Sequence, residues 1–307
     1  MRKKVKFLTL LIVVLLTAAF FFYRQGSVEK SSSLGGAVIS IINTAGQLEQ
    51  VYLEDFVVQA VAAEMPISFG KTALKAQAVA ARTYIAAHVE PYGQGRHEGA
   101  AVCCDSHHCQ AYATIVQLKK NWRENFSANW ALVRQAVADT AGEVLFYQQK
   151  IAETPYYSCC GGSTEAAAEC WGGDRPYLQA KFCNYCAASP KLVGVTRLTV
   201  AEAAQKLAVS SADIYDMYIV AYTDGGRVGQ MMIGGKLYGG AVLRSALALP
   251  SAAFSWLIVG ENILFTSLGF GHGVGLCQYG AAGMAALGAD YRQILAYYYP
   301  GCQMETL

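Results

Sequence analysis

Apolar residues recur at helical spacing in two neighbouring stretches of the first third of the chain. The first stretch places its apolar residues on one helix face, formed by Leu53, Phe56, Val57, Ala60 and Val61. The pattern ends at Glu64-Met65-Pro66, because the residue before a proline is pushed out of helical geometry. The second stretch is rich in Ala and covers residues 72–88. The sequence therefore predicts two helices, with Glu64 at the C-terminus of the first.

Further along the chain, helical and strand-like patterns alternate. Ser127 is predicted to cap a third helix, and the apolar run at residues 144–147 is predicted to form a strand. Residues 217–223 and 228–233 are rich in strand-forming side chains, and the Asp-Gly-Gly sequence between them is typical of a hairpin turn. This mixture predicts an α+β fold and leaves the order of the strands open.

Two pairs of polar residues predict later helix starts. Thr199 and Glu202 have the spacing of a capping box, which predicts a short helix that ends at Leu207. Asp290 and Gln293 likewise fit a helix start near the end of the chain. No internal repeat of fixed period is present in the sequence.

The N-terminus carries a different pattern, in which basic residues precede a long uncharged stretch. Arg2, Lys3, Lys4 and Lys6 are followed by residues 7–23, a length at the short end of what spans a bilayer. A cleaved secretory signal is the alternative, but this stretch ends in aromatic residues where a cleavage site needs small ones. We therefore predict an uncleaved transmembrane anchor with its N-terminus in the cytoplasm.

This anchor predicts the order of the segments along the chain. Residues 1–6 are a cytoplasmic basic tail, residues 7–23 the transmembrane anchor and residues 24–40 a linker that contains Ser and Gly. Residues 41–307 then form one folded domain outside the cytoplasm, as part of a single-pass protein of the cell membrane.

Composition narrows the class of protein. The 307 residues are 54% hydrophobic and 15% charged, which is enough apolar material for one large domain or two joined lobes. The formal net charge is +2, and the basic residues outside the N-terminus are scattered. A nucleic-acid-binding face is therefore not expected.

The ten cysteines fall into groups with different neighbours. The set His97, Cys103, His108 and Cys109 has the mixed donors of a zinc site, with a Cys103–Cys109 disulfide as the alternative. A second group looks more like disulfides or buried thiols and comprises Cys159, Cys160, Cys170, Cys183 and Cys186.

Glu64 is the strongest candidate for acid/base chemistry. A lone Glu is most often a solvated surface residue. A carboxylate flanked by apolar residues at the negative pole of a helix, however, has its charged form disfavoured by desolvation and by the dipole. Both effects raise the pKa of Glu64 toward the value that a general acid needs. Lys75 and Arg82 are nearby countercharges, for which simple ion pairing is the alternative role.

Two glycine-rich segments also bear polar and aromatic side chains. Residues 156–165 combine a glycine pair with Tyr157, Ser158 and a weaker acid candidate, Glu165; a tight turn is the alternative. Residues 269–280 surround His272 with alternating glycines, and a structural histidine is the alternative there. The second segment is not a nucleotide-binding fingerprint, because no βαβ unit surrounds it.

These motifs together resemble the stage II sporulation protein D family. The resemblance rests on the Glu64-Met65-Pro66 motif, residues 75–84, the Gly161-Gly162 pair, residues 271–281 and the terminal Tyr-Tyr-Pro-Gly at residues 298–301. It implies a bilobal α+β domain with a central cleft. It also implies a lytic transglycosylase of forespore engulfment in the mother-cell membrane, acting on glycan strands that a partner amidase has stripped of stem peptides.

The resemblance assigns roles to single residues. Glu64 is expected to be catalytic, and the implied substrate-binding residues are Arg82, Tyr157, Ser158, His272, Gln278 and Tyr279. Some clostridial members of the family bind zinc through a similar His/Cys cluster, which favours a structural zinc at His97, Cys103, His108 and Cys109. The chain departs from the family at Cys159, Cys160 and Cys277, where the family often has serine.

The implied mechanism uses one carboxyl twice. Glu64 protonates the glycosidic oxygen and then takes a proton from the C6 hydroxyl of N-acetylmuramic acid, which gives a 1,6-anhydro product without water. The chief rival is a non-catalytic domain that binds glycan and activates an amidase, as in the related amidase enhancer family. A zinc hydrolase and an inactive membrane protein are further alternatives.

Overall fold

The computed structural model describes residues 35–89, 93, 95–106, 108–173 and 175–307. Its helices are α1 (Leu53–Glu64), α2 (Gly70–Ala86), α3 (Ile115–Trp122), α4 (Phe126–Ala138), α5 (Ala167–Trp171), α6 (Val200–Leu207), α7 (Ser211–Tyr215), α8 (Gly240–Ala246), α9 (Gln278–Ala286) and α10 (Tyr291–Tyr298). Its strands are β1 (Val38–Ile42), β2 (Leu48–Tyr52), β3 (Val102–Cys103), β4 (Glu143–Tyr147), β5 (Lys150–Ile151), β6 (Tyr156–Tyr157), β7 (Val193–Thr199), β8 (Tyr218–Tyr222), β9 (Val228–Ile233), β10 (Lys236–Gly239), β11 (Phe254–Val259), β12 (Asn262–Leu268), β13 (Leu276–Cys277) and β14 (Gln303–Thr306). The predicted α+β class is confirmed.

Helix α2 is the centre of the first core. It packs against α1, α4, α9, α10 and β4. Its small side chains allow these neighbours to approach closely, and most of its residues are fully buried, among them Ala73, Leu74, Ala76, Ala78 and Ala80. Since α1 and α9 both contact α2, the ends of these two helices are positioned by one buried element.

Small sheets surround this helical core. Strands β2, β1 and β3 form one sheet, in which β1 pairs antiparallel with β2 and parallel with β3. Strands β14, β4 and β5 form another. The short strands β6 and β13 pair in parallel, with Leu276 opposite Tyr156 and Cys277 opposite Tyr157. This last pairing joins two segments that lie more than a hundred residues apart in the sequence.

The segment Val193–Leu268 folds around a core of its own. It contains two three-stranded sheets, with strand orders β11-β12-β7 and β10-β9-β8. Their buried faces and the helices between them share one cluster, which includes Leu207, Ile214, Met231, Leu243 and Phe265. Val193 pairs with Leu268, so the segment leaves and rejoins the rest of the chain at neighbouring positions.

Several local predictions are confirmed. Helix α1 ends at Glu64, and Met65 after it has extended geometry. Thr199 forms a capping box with Glu202 at the start of α6. Asp290 caps α10 in the same way. The predicted hairpin is present as β8 and β9, with β10 added at its edge.

The predicted cap of the third helix is wrong. Ser127 lies inside α4, whose N-cap is Asn125 without a side-chain hydrogen bond. The helix begins two residues earlier than predicted because the short 3-10 helix Arg123–Asn125 leads directly into it. Continuity of the backbone therefore replaces the expected side-chain cap.

The predicted tail and transmembrane anchor, residues 1–6 and 7–23, lie outside the described residues. Among those that are described, no helix has both the length and the apolar character that crossing a membrane requires. Strand β1 begins at Val38, inside the stretch predicted to be linker. Residues Gly36–Leu307 form a compact unit by themselves.

Candidate active site

Glu64 is the last residue of α1, and its half-buried carboxyl is held by two groups from distant segments. Its Oε1 accepts a hydrogen bond of 2.6 Å from the backbone N–H of Ala111, and the Gln278 side chain also hydrogen-bonds to it. Burial raises the pKa of Glu64, and these hydrogen bonds oppose that rise. The carboxyl is therefore both fixed in position and biased toward its protonated form.

Gln278 reaches Glu64 because it is the first residue of α9. Its Nε2 also donates to Oε1 of Gln77 on α2, at 3.4 Å. Both amides are buried, so each needs a partner in the interior. Helix α2 thus supports Gln278, and through it one side of Glu64.

Tyr156 and Tyr157 form β6 beside the same carboxyl. The Tyr156 hydroxyl donates to Oε1 of Gln110 at 2.5 Å. Burial first, and then the neighbouring Glu64 charge, raise the pKa of Tyr156 well above its usual value. Tyr157 is buried against the ring of His272, with the ring centroids 5.3 Å apart. The strand therefore links Glu64 to the glycine-rich loop.

His272 is locked in one tautomer. Its Nε2–H donates to the Tyr156 carbonyl at 3.0 Å, and its Nδ1 accepts from the Val274 amide at 3.1 Å. Burial lowers the pKa of His272 to about 4, so the ring is neutral in neutral solution. Both ring nitrogens are used within the protein, and His272 is suited to hold the loop rather than to donate a proton.

A glycine is required where this loop meets β6. Gly275 has φ +78°, and a Cβ at this position would lie 2.1 Å from the Pro155 carbonyl oxygen. Any larger residue would push the loop off the backbone that precedes Tyr156. The glycine at position 275 therefore serves close backbone approach.

Ser158 and Tyr279 lie at the same junction. The Tyr279 amide donates to the Ser158 carbonyl at 3.0 Å. The Tyr279 ring packs edge-on against Phe69, with centroids 4.7 Å apart. Both residues are half-buried, so part of each side chain remains accessible to a ligand.

Arg82 does not occupy the position that the resemblance implied. Its side chain is fully buried and forms a two-point ion pair with Glu54, at 2.8 and 2.7 Å. Its Nη1 also donates to the Glu143 carbonyl at 3.1 Å. The partners of the guanidinium all lie inside the core. Arg82 therefore forms a structural ion pair in place of the expected substrate contact.

Glu165 is likewise not available as a second acid. Its carboxylate is buried, accepts hydrogen bonds from the Thr223 hydroxyl and the Gly225 amide, and pairs with Arg227 at 3.6 Å. These contacts join the glycine-pair segment to the turn between β8 and β9. Glu165 therefore has a structural role.

Sequence reasoning missed three groups around Glu64. Ala111 contributes only its backbone N–H, which leaves no signal in the sequence. Gln77 lies within the motif at residues 75–84 but was assigned no role, and Gln110 lies in no motif. Within the described part of the chain, Nε2 of Gln77, Nε2 of Gln110 and the Tyr157 hydroxyl are buried without a hydrogen-bond partner. Such atoms call for a ligand or water, because an unsatisfied buried donor is unfavourable.

The four predicted zinc ligands converge on one point. The donor atoms of His97, Cys103, His108 and Cys109 all lie within 4.8 Å of one another. His108 Nδ1 lies 3.8 Å from Cys103 Sγ and 3.3 Å from Cys109 Sγ, and His97 Nε2 lies 3.6 Å from Cys109 Sγ. A tetrahedral zinc ion places its sulfur and nitrogen ligands about 3.6 Å apart. The donor set therefore fits zinc.

Adjacent ligands His108 and Cys109 share the site because the chain turns sharply before them. The amides of both residues donate to the Asp105 carbonyl, at 3.1 and 2.8 Å. Cys109 is followed by Gln110 and Ala111, the residues that contact Tyr156 and Glu64.

Comparison with known proteins agrees with the motifs. Residues 42–147 match the family described as Stage II sporulation protein. The chain is 38% identical to Stage II sporulation protein D of Bacillus amyloliquefaciens, over 84% of this chain and 75% of that protein. It is 36% identical to the Bacillus subtilis (strain 168) protein of the same name, over 87% and 78% of the two chains.

A more distant relative has a different name. The Amidase enhancer of Bacillus subtilis (strain 168) is 27% identical over 79% of this chain and 39% of that protein. The two stage II proteins match at higher identity and over more of their length. The chain therefore belongs to the stage II sporulation protein D family of sporulation proteins.

Proposed function

We propose that this protein is a lytic transglycosylase that cleaves the glycan strands of peptidoglycan during sporulation engulfment. The observation that carries the proposal is the Glu64 carboxyl, which is half-buried, has a raised pKa and is held by the Ala111 amide and Gln278. A carboxyl that retains its proton and has a fixed orientation is suited to general acid catalysis. Membership of a sporulation family supports the biological setting.

The proposed reaction moves one proton out and one proton back. Glu64 donates its proton to the glycosidic oxygen as the bond from the C1 of N-acetylmuramic acid breaks. The carboxylate then removes a proton from the C6 hydroxyl of the same sugar, whose oxygen closes onto C1. The products are a strand end with a free hydroxyl and a 1,6-anhydro end, and Glu64 is protonated again. Peptide-free strands are the proposed substrate.

The fate of Glu165 supports a one-carboxyl reaction. Glycosidases that hydrolyse with two carboxyl groups place the second one opposite the acid, either as a nucleophile or as a base for water. Glu165, the candidate for this second carboxyl group, is buried in an ion pair with Arg227. A mechanism in which the sugar supplies its own nucleophile does not need it.

Polar atoms near Glu64 support binding of a polar ligand. The Tyr156 hydroxyl is bonded to Gln110, whose Nε2 has no partner among the described residues. Sugar hydroxyls are able to satisfy such donors and to displace the ordered water that otherwise does so. We propose that Gln110, Ser158, Gln278 and Tyr279 contact the glycan, and that the buried Gln77 and Tyr157 and the doubly hydrogen-bonded His272 hold these residues in place.

We also propose that zinc at His97, Cys103, His108 and Cys109 is structural. When bound, the ion supplies a closed four-ligand link rather than an open position for chemistry. Cys109 and Ala111 are two residues apart, so fixing the thiolate also fixes the amide that donates to Glu64. This role differs from that of a zinc hydrolase, which needs an open coordination position.

The zinc proposal predicts a linked loss of metal and activity. We expect the double variant Cys103→Ser/Cys109→Ser to lose one zinc ion per chain, to melt at a lower temperature and to cleave glycan more slowly, because the Ala111 amide is no longer held. Metal content by mass spectrometry, thermal unfolding and product analysis measure the three effects. Cys104→Ser, next to a ligand but outside the donor set, is the control that keeps its zinc. A metal-free wild type that is two hydrogens lighter than its reduced form supports the Cys103–Cys109 disulfide instead.

The raised pKa of Glu64 predicts the pH dependence of cleavage. The protonated carboxyl is the active form, so kcat/KM is expected to be high at acid pH and to fall as pH rises through the Glu64 pKa. The rate is expected to fall at a pH above the usual pKa of a glutamate, because burial raises the pKa of Glu64. A pH profile on peptide-free glycan measures it. A rate that instead rises with pH across this range assigns the chemistry to a base and contradicts the proposal.

The products decide between this function and its rivals. Incubation with peptide-free glycan followed by mass spectrometry is expected to yield anhydro-ended saccharides. Hydrated ends indicate a hydrolase, and intact strands indicate a binding protein. The amidase-activating alternative is favoured by the similarity to the Amidase enhancer, and it predicts intact strands together with faster release of stem peptides by an added amidase.

The substrate also fixes where the protein must act. Peptidoglycan lies outside the cytoplasmic membrane, so we propose that the folded domain is extracytoplasmic and that residues 7–23 anchor it in the mother-cell membrane, facing the forespore. We propose two kinds of partner. One is an amidase that removes stem peptides, and the other comprises further membrane proteins of the engulfment machinery.

A further inference from the structure

A second group of thiols lies behind the glycine-rich loop and takes no part in the chemistry proposed above. The Sγ atoms of Cys160, Cys186 and Cys277 lie within 4.8 Å of one another. Each of the three residues is at most 2% exposed. They come from three separate segments, which are the glycine-pair segment, the loop before β7 and strand β13. Three buried thiols that converge from separate segments form a potential binding site for a soft metal ion.

Two further buried thiols adjoin this group: Cys159, whose side chain interacts with those of Cys186 and Cys277, and Cys183. Cys183 is fully buried, and its side chain interacts with those of Cys160, Cys186 and Cys277. The Cys160 thiol also contacts the Cys183 carbonyl at 3.4 Å. Cys183 and Cys186 are separated by two residues, which is the usual spacing of paired ligands in structural zinc sites. The fold therefore provides three converging thiols, with Cys183 beside them at a spacing from Cys186 that is typical of a zinc site.

Backbone amides donate to the sulfur of Cys277, which opposes the burial that raises the pKa of its thiol well above the usual value. Its Sγ accepts hydrogen bonds from the backbone amides of Cys160 and Gly280, both at 3.2 Å. Cys277 is also the N-cap of α9, so the positive end of that helix points at the sulfur. Amide donors and a helix N-terminus stabilise the charged form of a cysteine. A thiolate is the form that binds a metal.

A disulfide accounts for these contacts less well. A disulfide would join only two of the sulfurs. The third thiol of the group and the neighbouring Cys183 would then be packed against the S–S bond. The sulfurs of Cys160 and Cys186 are 3.1 Å apart. Two sulfur ligands of a tetrahedral zinc ion are about 3.8 Å apart, and two sulfurs in a disulfide bond are about 2.05 Å apart. The observed separation is nearer to the first distance.

We propose that Cys160, Cys183, Cys186 and Cys277 bind one zinc ion in a closed site of four thiolates. The site is separate from the one at His97 and does not depend on glycan cleavage. It ties together three separate segments of the chain. Cys277 directly precedes Gln278, and Cys160 follows Ser158 by two residues, so the ion also anchors two segments of the candidate active site.

The test begins with the variant Cys103→Ser/Cys109→Ser, which lacks the other proposed zinc site. The full chain, purified in detergent with zinc present and under reducing conditions, is expected to retain one zinc ion, and the wild type two. X-ray absorption at the zinc edge of this variant is expected to show four sulfur neighbours at about 2.3 Å. Two sulfur and two nitrogen neighbours, or no zinc at all in this variant, overturns the proposal.

A second pair of variants tests the ligands. Cys160→Ser/Cys277→Ser is expected to lower the zinc content of the wild type from two ions to one. Cys302→Ser, a half-buried cysteine outside the group, is expected to leave it unchanged. Alkylation of unfolded, unreduced Cys103→Ser/Cys109→Ser tests the disulfide and needs no further variant. If every remaining cysteine is alkylated, the result agrees with a zinc site. If two cysteines resist alkylation and the protein contains no zinc, the result supports a disulfide.

Discussion

Replacing Glu64 by Gln is expected to lower the rate of glycan cleavage by about a hundredfold or more, the usual scale for loss of a general acid. Gln retains the size and polarity of Glu and is able to accept the hydrogen bond from Ala111, but it has no proton to give. Glycan binding is therefore expected to change little. Single-turnover cleavage of peptide-free strands and a binding measurement on the same strands separate the two effects.

The stability of this variant provides an internal control. A raised pKa in the folded state means that Glu64 contributes stability below its unfolded pKa and that this contribution is lost as pH rises through the folded pKa. Glu64→Gln is thus expected to gain melting temperature relative to the wild type as pH rises. Glu124→Gln, an exposed carboxyl in a short 3-10 helix, is expected to change neither rate nor stability. Near-normal turnover by Glu64→Gln rejects the catalytic assignment.

Replacing Arg82 by Met is expected to destabilise the protein by about 3–5 kcal/mol, the usual effect of removing one partner of a buried ion pair. The carboxylate of Glu54 then stays in the core with the Gly142 amide as its remaining partner, at 3.1 Å. The free energy of unfolding from urea denaturation measures the change. Reduced glycan binding by a fully folded Arg82→Met would instead restore the substrate contact that the resemblance implied.

Two variants calibrate this result. Arg175 pairs with Glu153 at a solvent-accessible site, so Arg175→Met is expected to cost about 1 kcal/mol or less. The double variant Glu54→Leu/Arg82→Met removes both buried charges, and it is expected to recover much of the stability that Arg82→Met loses. If the double variant is no more stable than the single one, packing around the guanidinium matters more than its charge.

The features predicted from sequence are those in which neighbouring residues decide the outcome. Helix α1 ends at Glu64 because Pro66 constrains the residue before it, and the capping boxes at Thr199 and Asp290 use side chains three residues apart. The glycine-rich loop was recognised because its composition is unusual. These sequence patterns predict the structure well because the interactions involved lie within one or two turns of backbone.

The features that sequence did not predict involve distant partners. Ala111 donates to Glu64 from 47 positions away through its backbone, so its side chain carries no information about the contact. Arg82 finds Glu54 across the interface between α1 and α2, and ion pairing was only the alternative for this residue. The parallel pairing of β6 with β13 depends on the whole topology. Tertiary packing, rather than local preference, decides each of these.

The pairing of Val193 with Leu268 makes the segment between them a side branch of the chain path. The chain enters and leaves it at one point, so insertions or deletions within this branch need not shift the register of the helices that carry Glu64 and Gln278. The turn between β8 and β9 is an exception, since Thr223, Gly225 and Arg227 reach out of the branch to the Glu165 carboxylate and Arg227 also reaches the Cys160 carbonyl. Relatives are thus free to remodel the branch as a unit, provided that residue 165 changes its chemistry whenever Arg227 is lost.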